Sequence, residues 1–190
     1  MKRDNSETAT ADAIVAATRA WVDKAVIGLN LCPFAKAVQV KDQVRYVVSA
    51  AQTTEALRID LIAELRNLNA SDPDQLDTTL LIHPDVLRDF MDYNDFLAVA
   101  DAALEDLGFG GQIQIASFHP QYQFADAAED DIENYTNRSP YPVLHLLREA
   151  SIERAVAAFP DAASIYQKNI ATLRRLGPQG WRDLGLADPD

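Results

Sequence analysis

Two short segments of this sequence end in the same dipeptide, and they constrain the fold more than any other feature. Residues 78–82 form a nearly continuous apolar run that ends in a His-Pro pair at His83. Residues 112–118 alternate between apolar and polar side chains and end in a His-Pro pair at His119. A continuous apolar run is typical of a strand buried on both faces, and alternation is typical of a strand with one exposed face. Both segments therefore predict β-strands that end in a histidine.

Helical patterns lie before, between and after these strands. A further strand is predicted near residues 43–49, which are rich in β-branched and aromatic side chains. The predicted helices cover residues 11–27, residues 55–68 with Thr53 or Thr54 as a cap, a short helix begun by Pro84, a second capped by Asn94 and ending at Gly108, residues 142–158 and residues 161–176. The order strand, helix, strand, helix, strand favours parallel pairing through right-handed crossovers. We therefore expect an α/β fold with a small, mainly parallel sheet of about three or four strands and about six helices.

The length of 190 residues fits one domain with a substantial core. We expect a flexible N-terminus over residues 1–10, a single domain over residues 11–177, and a C-terminal tail over residues 178–190 that is frayed apart from Trp181. An alternative for the region before the first strand is a hairpin in which Val38 to Val40 pairs with Val44 to Val48. Residues 41–43 would form its turn.

Charge and cysteine content exclude several classes of protein. The chain has 17 basic and 29 acidic residues, and its net charge of −12 repels nucleic-acid backbones and anionic membrane surfaces. The single cysteine cannot form an internal disulfide, and the polar first residues lack the apolar core of a signal peptide. No apolar run approaches the roughly 18 residues that a membrane span needs. We expect a cytoplasmic protein that binds neither nucleic acid nor membrane.

The two strand-end histidines are the first candidates for a functional site. If their strands run in the same direction, His83 and His119 lie at one edge of the sheet, where open α/β folds bind ligands. His119 is the expected general acid or base, with His83 beside it. The alternative is that each His-Pro pair only ends a strand.

Cys32 is a candidate nucleophile, because it follows the first helix and a nearby histidine could activate its thiol. The alternative is a small buried apolar side chain. Together with His83, His119 and His145, which we place in the helix over residues 142–158, Cys32 also supplies the ligand types of a divalent transition-metal site. The spacing of these four residues matches no recognised zinc pattern.

The long segment from residue 120 to residue 142 predicts a binding site for a small anion. It carries hydrogen-bonding and aromatic side chains just before a predicted helix start: Asn134, Tyr135, Asn137, Arg138 and Ser139. Arg138 is the expected anion ligand, and the alternative is that it pairs with an acidic residue of the same segment. The aromatic side chains argue for an ordered lid over the strand ends, because disordered segments are poor in aromatics.

Several stretches of the chain resemble one protein family. They are residues 28–34, 81–84, 93–96, 118–124 and 134–149. In these stretches the sequence is similar to the bacterial domain-of-unknown-function family numbered 1415, and the similarity extends over residues 18–176. The resemblance implies membership of a family without an assigned activity, and it implies no catalytic residues.

Common cofactor motifs are absent from the sequence: it has no phosphate-binding loop, dinucleotide-binding glycine pattern, His-Glu-x-x-His pair or serine nucleophile elbow. The first hypothesis for function is therefore an enzyme that acts on a small anionic metabolite in the strand-end crevice. The second is a non-catalytic protein that binds a small ligand or serves as an accessory to a partner. The third is a structural or interaction protein joined through helix faces.

Overall fold

The computed structural model describes residues 5–158 and 164–186. The described chain contains helices α1 Asn5–Trp21, α2 Ala35–Val40, α3 Thr54–Ala70, α4 Phe90–Asp106, α5 Glu149–Ala158 and α6 Ile165–Arg182, and strands β1 Val44–Val48, β2 Thr78–Ile82, β3 Ile113–Phe118 and β4 Val143–Arg148. A π-helical turn, Val22–Ile27, continues α1, and a 3₁₀-helix, Ile132–Thr136, precedes β4. The predicted α/β class is confirmed.

The four strands form one mixed sheet in the order β1-β2-β4-β3. Strand β1 pairs with β2 in parallel, whereas β4 runs antiparallel to both β2 and β3. The prediction of a mainly parallel sheet is therefore wrong. It failed because β4 enters between the two strands that end in histidine.

Strand β4 occupies residues that we predicted to begin a helix. Its six residues form a leucine-rich run in the middle of the sheet. Leu144 and Leu146 pack with α3 and α4 on one face, and Val143 packs with α1 on the other. A run buried on both faces has no strand periodicity, so it resembles a segment of buried helix. The helix that follows, α5, begins only at Glu149.

The two helices between the strands, α3 and α4, each begin at a residue whose side chain caps the helix. Thr53 accepts a hydrogen bond from the Ala56 amide at 3.2 Å and starts α3 as predicted. The two helices expected between residues 84 and 108 are instead a single helix, α4. Its cap is Asp89, whose carboxylate accepts from two amides of the first turn. Asn94, the predicted cap, lies inside that helix.

The N-terminal region is helical. Helix α1 begins at Asn5, within the residues predicted to be flexible, of which 1–4 lie outside the described chain. The alternative hairpin is wrong, because Val38 and Val40 belong to helix α2.

The C-terminal residues pack against the body of the protein. Helix α6 has a break at Gly177, where φ is 68° and ψ is 172°, and it resumes through Arg182. Trp181 and Leu186 contact the apolar cluster beneath α1. The predicted helix start at residue 161 and the tail residues 187–190 lie outside the described residues.

The sheet divides the core into two layers. One layer packs α3 and α4 against β2, β3 and β4, with Leu61, Leu81 and Tyr93 fully buried. The other packs α1 and the π-helical turn against the opposite face, around Trp21 and Ile82. Within the described residues, no helix is long and apolar enough to cross a membrane.

Candidate functional site

His83 and His119 lie at the same edge of the sheet, as their positions after β2 and β3 predict. Both strands run antiparallel to β4 and therefore run in the same direction. The ring of Tyr93, from α4, lies near both imidazoles, with centroid distances of 5.8 Å to His83 and 5.0 Å to His119. The two histidines thus belong to one aromatic cluster.

The imidazole of His119 is fully engaged within the protein. Its Nδ1 accepts the Gln121 amide hydrogen at 3.0 Å. Nε2 must therefore carry the ring proton, and it donates to the Leu87 carbonyl at 3.1 Å. The residue is fully buried, and this burial lowers its pKa. Both ring nitrogens of His119 are thus engaged by the backbone.

His83 is also buried and neutral. Its Nδ1 donates to the Val86 carbonyl at 3.0 Å, and burial lowers its pKa to about 4. Its Nε2 has no hydrogen-bond partner within the described chain. Together the histidines bind the consecutive carbonyls of Val86 and Leu87, and Leu87 has a positive φ of 58°. The pair therefore holds a strained turn against the sheet.

Tyr93 is the residue at this edge whose importance the sequence did not indicate. Its hydroxyl donates to the Val143 carbonyl at 2.8 Å and accepts the Phe118 amide hydrogen at 3.1 Å. Burial raises the pKa of this hydroxyl. The side chain thus ties α4 to β4 and β3. Apart from its place in residues 93–96, a stretch that resembles the protein family, nothing in the sequence distinguished it.

His145 does not join the strand-end histidines, and Cys32 forms no three-residue metal-binding group with them among the described residues. His145 belongs to β4 and not to a helix, and its ring contacts Phe118 on the opposite face of the sheet. Its Nε2 is 2.7 Å from the Thr78 hydroxyl, and desolvation lowers its pKa to about 4. Burial raises the pKa of the Cys32 thiol, although backbone hydrogen bonds from Phe34 and Ala35 oppose this rise. In the described chain, no three His, Cys, Asp or Glu residues are grouped to hold a metal ion.

The segment between β3 and β4 is ordered by its own polar side chains. Asn134 is fully buried, donates to the Ala128 carbonyl at 2.7 Å and accepts the Phe124 amide hydrogen at 3.0 Å. Asn137 donates to the Ser117 carbonyl at 3.1 Å. These two amides therefore stabilise the segment, and neither lines the cleft beside the carboxyl end of β3; the ligand-binding role expected of them stays a prediction.

Arg138 holds the same segment but keeps part of its guanidinium free. Its Nε and Nη2 donate to the carbonyls of Tyr122 and Glu129 at 3.2 and 2.7 Å. Its guanidinium carbon lies 4.6 Å from the centre of the Tyr135 ring. The alternative of an ion pair with an acid of this segment is not observed among the described residues: Glu133 pairs with Arg174 instead.

A cleft of about 480 Å³ lies beside the carboxyl end of β3. Its lining residues are Trp21, Pro120, Tyr135, Arg138, Ser139, Pro140, Pro178, Trp181, Arg182 and Leu186. None of these described lining residues is acidic, and two are arginines. Arg182 is exposed and donates to the Gln179 side chain at 2.8 Å. The cleft is therefore positively charged in a protein of net charge −12.

The cleft contains part of the predicted ligand-binding set and adds residues that we did not predict. Tyr135, Arg138 and Ser139 line it, although the Ser139 hydroxyl donates to the Tyr141 carbonyl and can only accept from a ligand. Trp181 and Arg182 complete the cleft from the C-terminal end of α6, and the rings of Trp181 and Tyr135 meet edge to face at 4.9 Å. The sequence signal for this contact was Trp181, the one aromatic residue in the segment 178–190.

Comparison with known proteins places the chain in a family but assigns no activity. No curated protein and no solved structure matches it. The family model described as protein of unknown function DUF1415 matches residues 13–183, which is most of the 190-residue chain. The chain therefore belongs to the DUF1415 family.

Proposed function

We propose that this protein binds a small organic anion in the cleft between residues 120–140 and the C-terminal end of α6. The observation that carries the proposal is the charge of the cleft, whose charged lining residues are Arg138 and Arg182. Guanidinium groups bind carboxylates and phosphates through paired, charge-assisted hydrogen bonds. The rest of the protein carries an acidic excess, whereas the charged residues of this cleft are both cationic and favour an anion.

The size and walls of the cleft support a small-molecule ligand. Its volume of about 480 Å³ falls in the range of about 300 to 1,000 Å³ that is usual for small-molecule sites. Aromatic and proline rings form much of its wall, and the guanidinium of Arg138 is already held in place by two carbonyls. A preorganised guanidinium loses little freedom when it binds an anion.

The contacts of the histidines favour binding over acid–base catalysis. Both nitrogens of His119 are occupied within the protein, and His83 is fully buried. Burial also raises the pKa of the Cys32 thiol, which keeps it in its less reactive form at neutral pH. The catalytic roles expected of these residues are therefore outside our proposal.

The test is stabilisation of the folded protein by anions. Thermal unfolding is measured with a panel of small carboxylates and phosphate esters, for the wild type and for Arg182→Gln. Arg182 is exposed and makes one side-chain hydrogen bond, so its replacement leaves the fold intact. Arg175→Gln removes the same charge from an exposed position of α6 that does not line the cleft.

We expect at least one anion to raise the unfolding temperature of the wild type and of Arg175→Gln, with little effect on Arg182→Gln. Equal stabilisation of all three proteins would show that the anion acts elsewhere. No stabilisation by any member of the panel would contradict the proposal.

We also propose a cytoplasmic location. The chain has one cysteine, and Cys32 is free. A free thiol is compatible with a reducing compartment, where disulfides do not persist. Fractionation of the cells that produce the protein tests this, and recovery outside the cytoplasm would contradict it.

A further inference from the structure

The two guanidiniums of the cleft both keep unused donors. Nη1 of Arg138 has no hydrogen-bond partner within the described chain, since its contacts are made through Nε and Nη2. Arg182 donates to Gln179 through Nη2 alone, and no described carboxylate pairs with it. A single carboxylate neutralises one guanidinium. A ligand with two negative charges would neutralise both arginines of the cleft.

The walls of the cleft require more than charge. Besides the arginines, the cleft is lined by the aromatic rings of Tyr135 and Trp181, by three prolines and by the side chain of Leu186. The edge-to-face contact of Tyr135 with Trp181 makes a fixed apolar wall. A small inorganic anion would leave this surface in water, whereas a flat apolar body would bury it.

From these observations, and resting on the proposed function, we infer that the ligand of the cleft is an organic dianion with a flat, apolar body. An aryl phosphate is the simplest example. Its phosphate carries nearly two negative charges above pH 7, because its second pKa is about 6. Its oxygens match the planar donors of Arg138 and Arg182, while its ring matches the apolar wall.

Three probes separate the contributions of the second charge and the ring. Isothermal titration calorimetry at pH 8 compares phenyl phosphate, which has both features, with inorganic phosphate, which lacks the ring, and with benzoate, which lacks the second charge. We expect phenyl phosphate to bind at least about tenfold more tightly than either of the others. Arg182→Gln is expected to weaken phenyl phosphate binding about tenfold or more, and Arg175→Gln to leave it unchanged.

The outcomes distinguish this inference from the proposed function. If benzoate or inorganic phosphate binds as tightly as phenyl phosphate, and Arg182→Gln weakens that binding, the cleft binds anions but the inferred ligand class is wrong. If all three probes fail to bind, the inferred ligand class is wrong, and the thermal-unfolding panel alone tests the proposed function. If the probes bind Arg182→Gln as tightly as the wild type, they bind outside the cleft and the proposed function fails as well. The thermal unfolding of the unliganded variant confirms that it is folded.

Discussion

Lowering the pH from 7 to 5 is expected to destabilise the protein through His83. Burial lowers the pKa of this ring from 6.5 to about 4 in the folded protein. In the unfolded chain the ring keeps its ordinary pKa of about 6.5, so the unfolded state takes up a proton first as the pH falls. The contribution of His83 to stability is therefore intact above about pH 6.5 and is lost as the pH falls toward 4.

The size of this effect follows from the two pKa values. A difference of one pKa unit corresponds to about 1.4 kcal/mol, so complete titration of His83 removes about 3 kcal/mol from the free energy of unfolding. About 2 kcal/mol of that is lost between pH 7 and pH 5, because the folded ring is still mostly neutral at pH 5. His145, whose pKa is lowered to about 4 as well, adds to the loss in the wild type.

Urea unfolding of the wild type and of His83→Asn at both pH values isolates the contribution of His83. The asparagine amide can still donate to the Val86 carbonyl, but it does not titrate. We expect the variant to be less stable at pH 7 and to lose about 2 kcal/mol less than the wild type on acidification. An identical loss in the two proteins would refute the argument that His83 is buried in its neutral form.

Three further predictions concern stability and reactivity. Arg148→Met is expected to lower the free energy of unfolding by about 3 kcal/mol in urea, because its guanidinium donates to the carbonyls of Leu68 and Ser71 at the end of α3 and of Leu76 in the following loop. A loss below about 1 kcal/mol would contradict this. Gly177→Ala forces a residue with a side chain into a backbone conformation that costs about 1–3 kcal/mol, so a lower unfolding temperature and altered Trp181 fluorescence are expected. Unchanged values would contradict the helix break at Gly177. Cys32 should react with a disulfide reagent at pH 7 more slowly than free cysteine, and faster reaction would reveal an activated thiol.

The edge of the sheet that carries the histidines could be predicted from local pattern. The strands before His83 and His119 have clear apolar signals, and both His-Pro pairs end their strands. The shared direction of β2 and β3 was also predicted, but through direct parallel pairing. The actual reason is that β4 lies between them and is antiparallel to each.

Strand β4 could not be predicted because its residues fit two structures. A leucine-rich run of six residues after a proline suits the start of a helix as well as a buried strand. Its place in the middle of the sheet is decided by long-range pairing with β2 and β3, which local propensity does not report. This error also put His145 on a helix near the crevice, whereas it lies on the other face of the sheet.

The cleft was predicted in part. Arg138, Tyr135 and Ser139 stood out because they share one polar segment. Arg182 did not, since it lies more than forty residues further along the chain and reaches the cleft only after the break at Gly177. Asn134 and Asn137 were assigned to the ligand because a polar side chain in a loop can serve either a ligand or the loop's own backbone.

The most direct test of the account is to observe the cleft itself while an anion binds. The protein has two tryptophans, Trp21 and Trp181, and both line the cleft, so the indole resonances in a ¹H–¹⁵N spectrum report on it. On titration with phenyl phosphate, we predict that the Trp181 indole signal shifts and saturates, and that Arg182→Gln raises the phenyl phosphate concentration at the midpoint of this shift about tenfold or more. Saturable binding that leaves both indole signals unchanged would contradict a ligand site in this cleft.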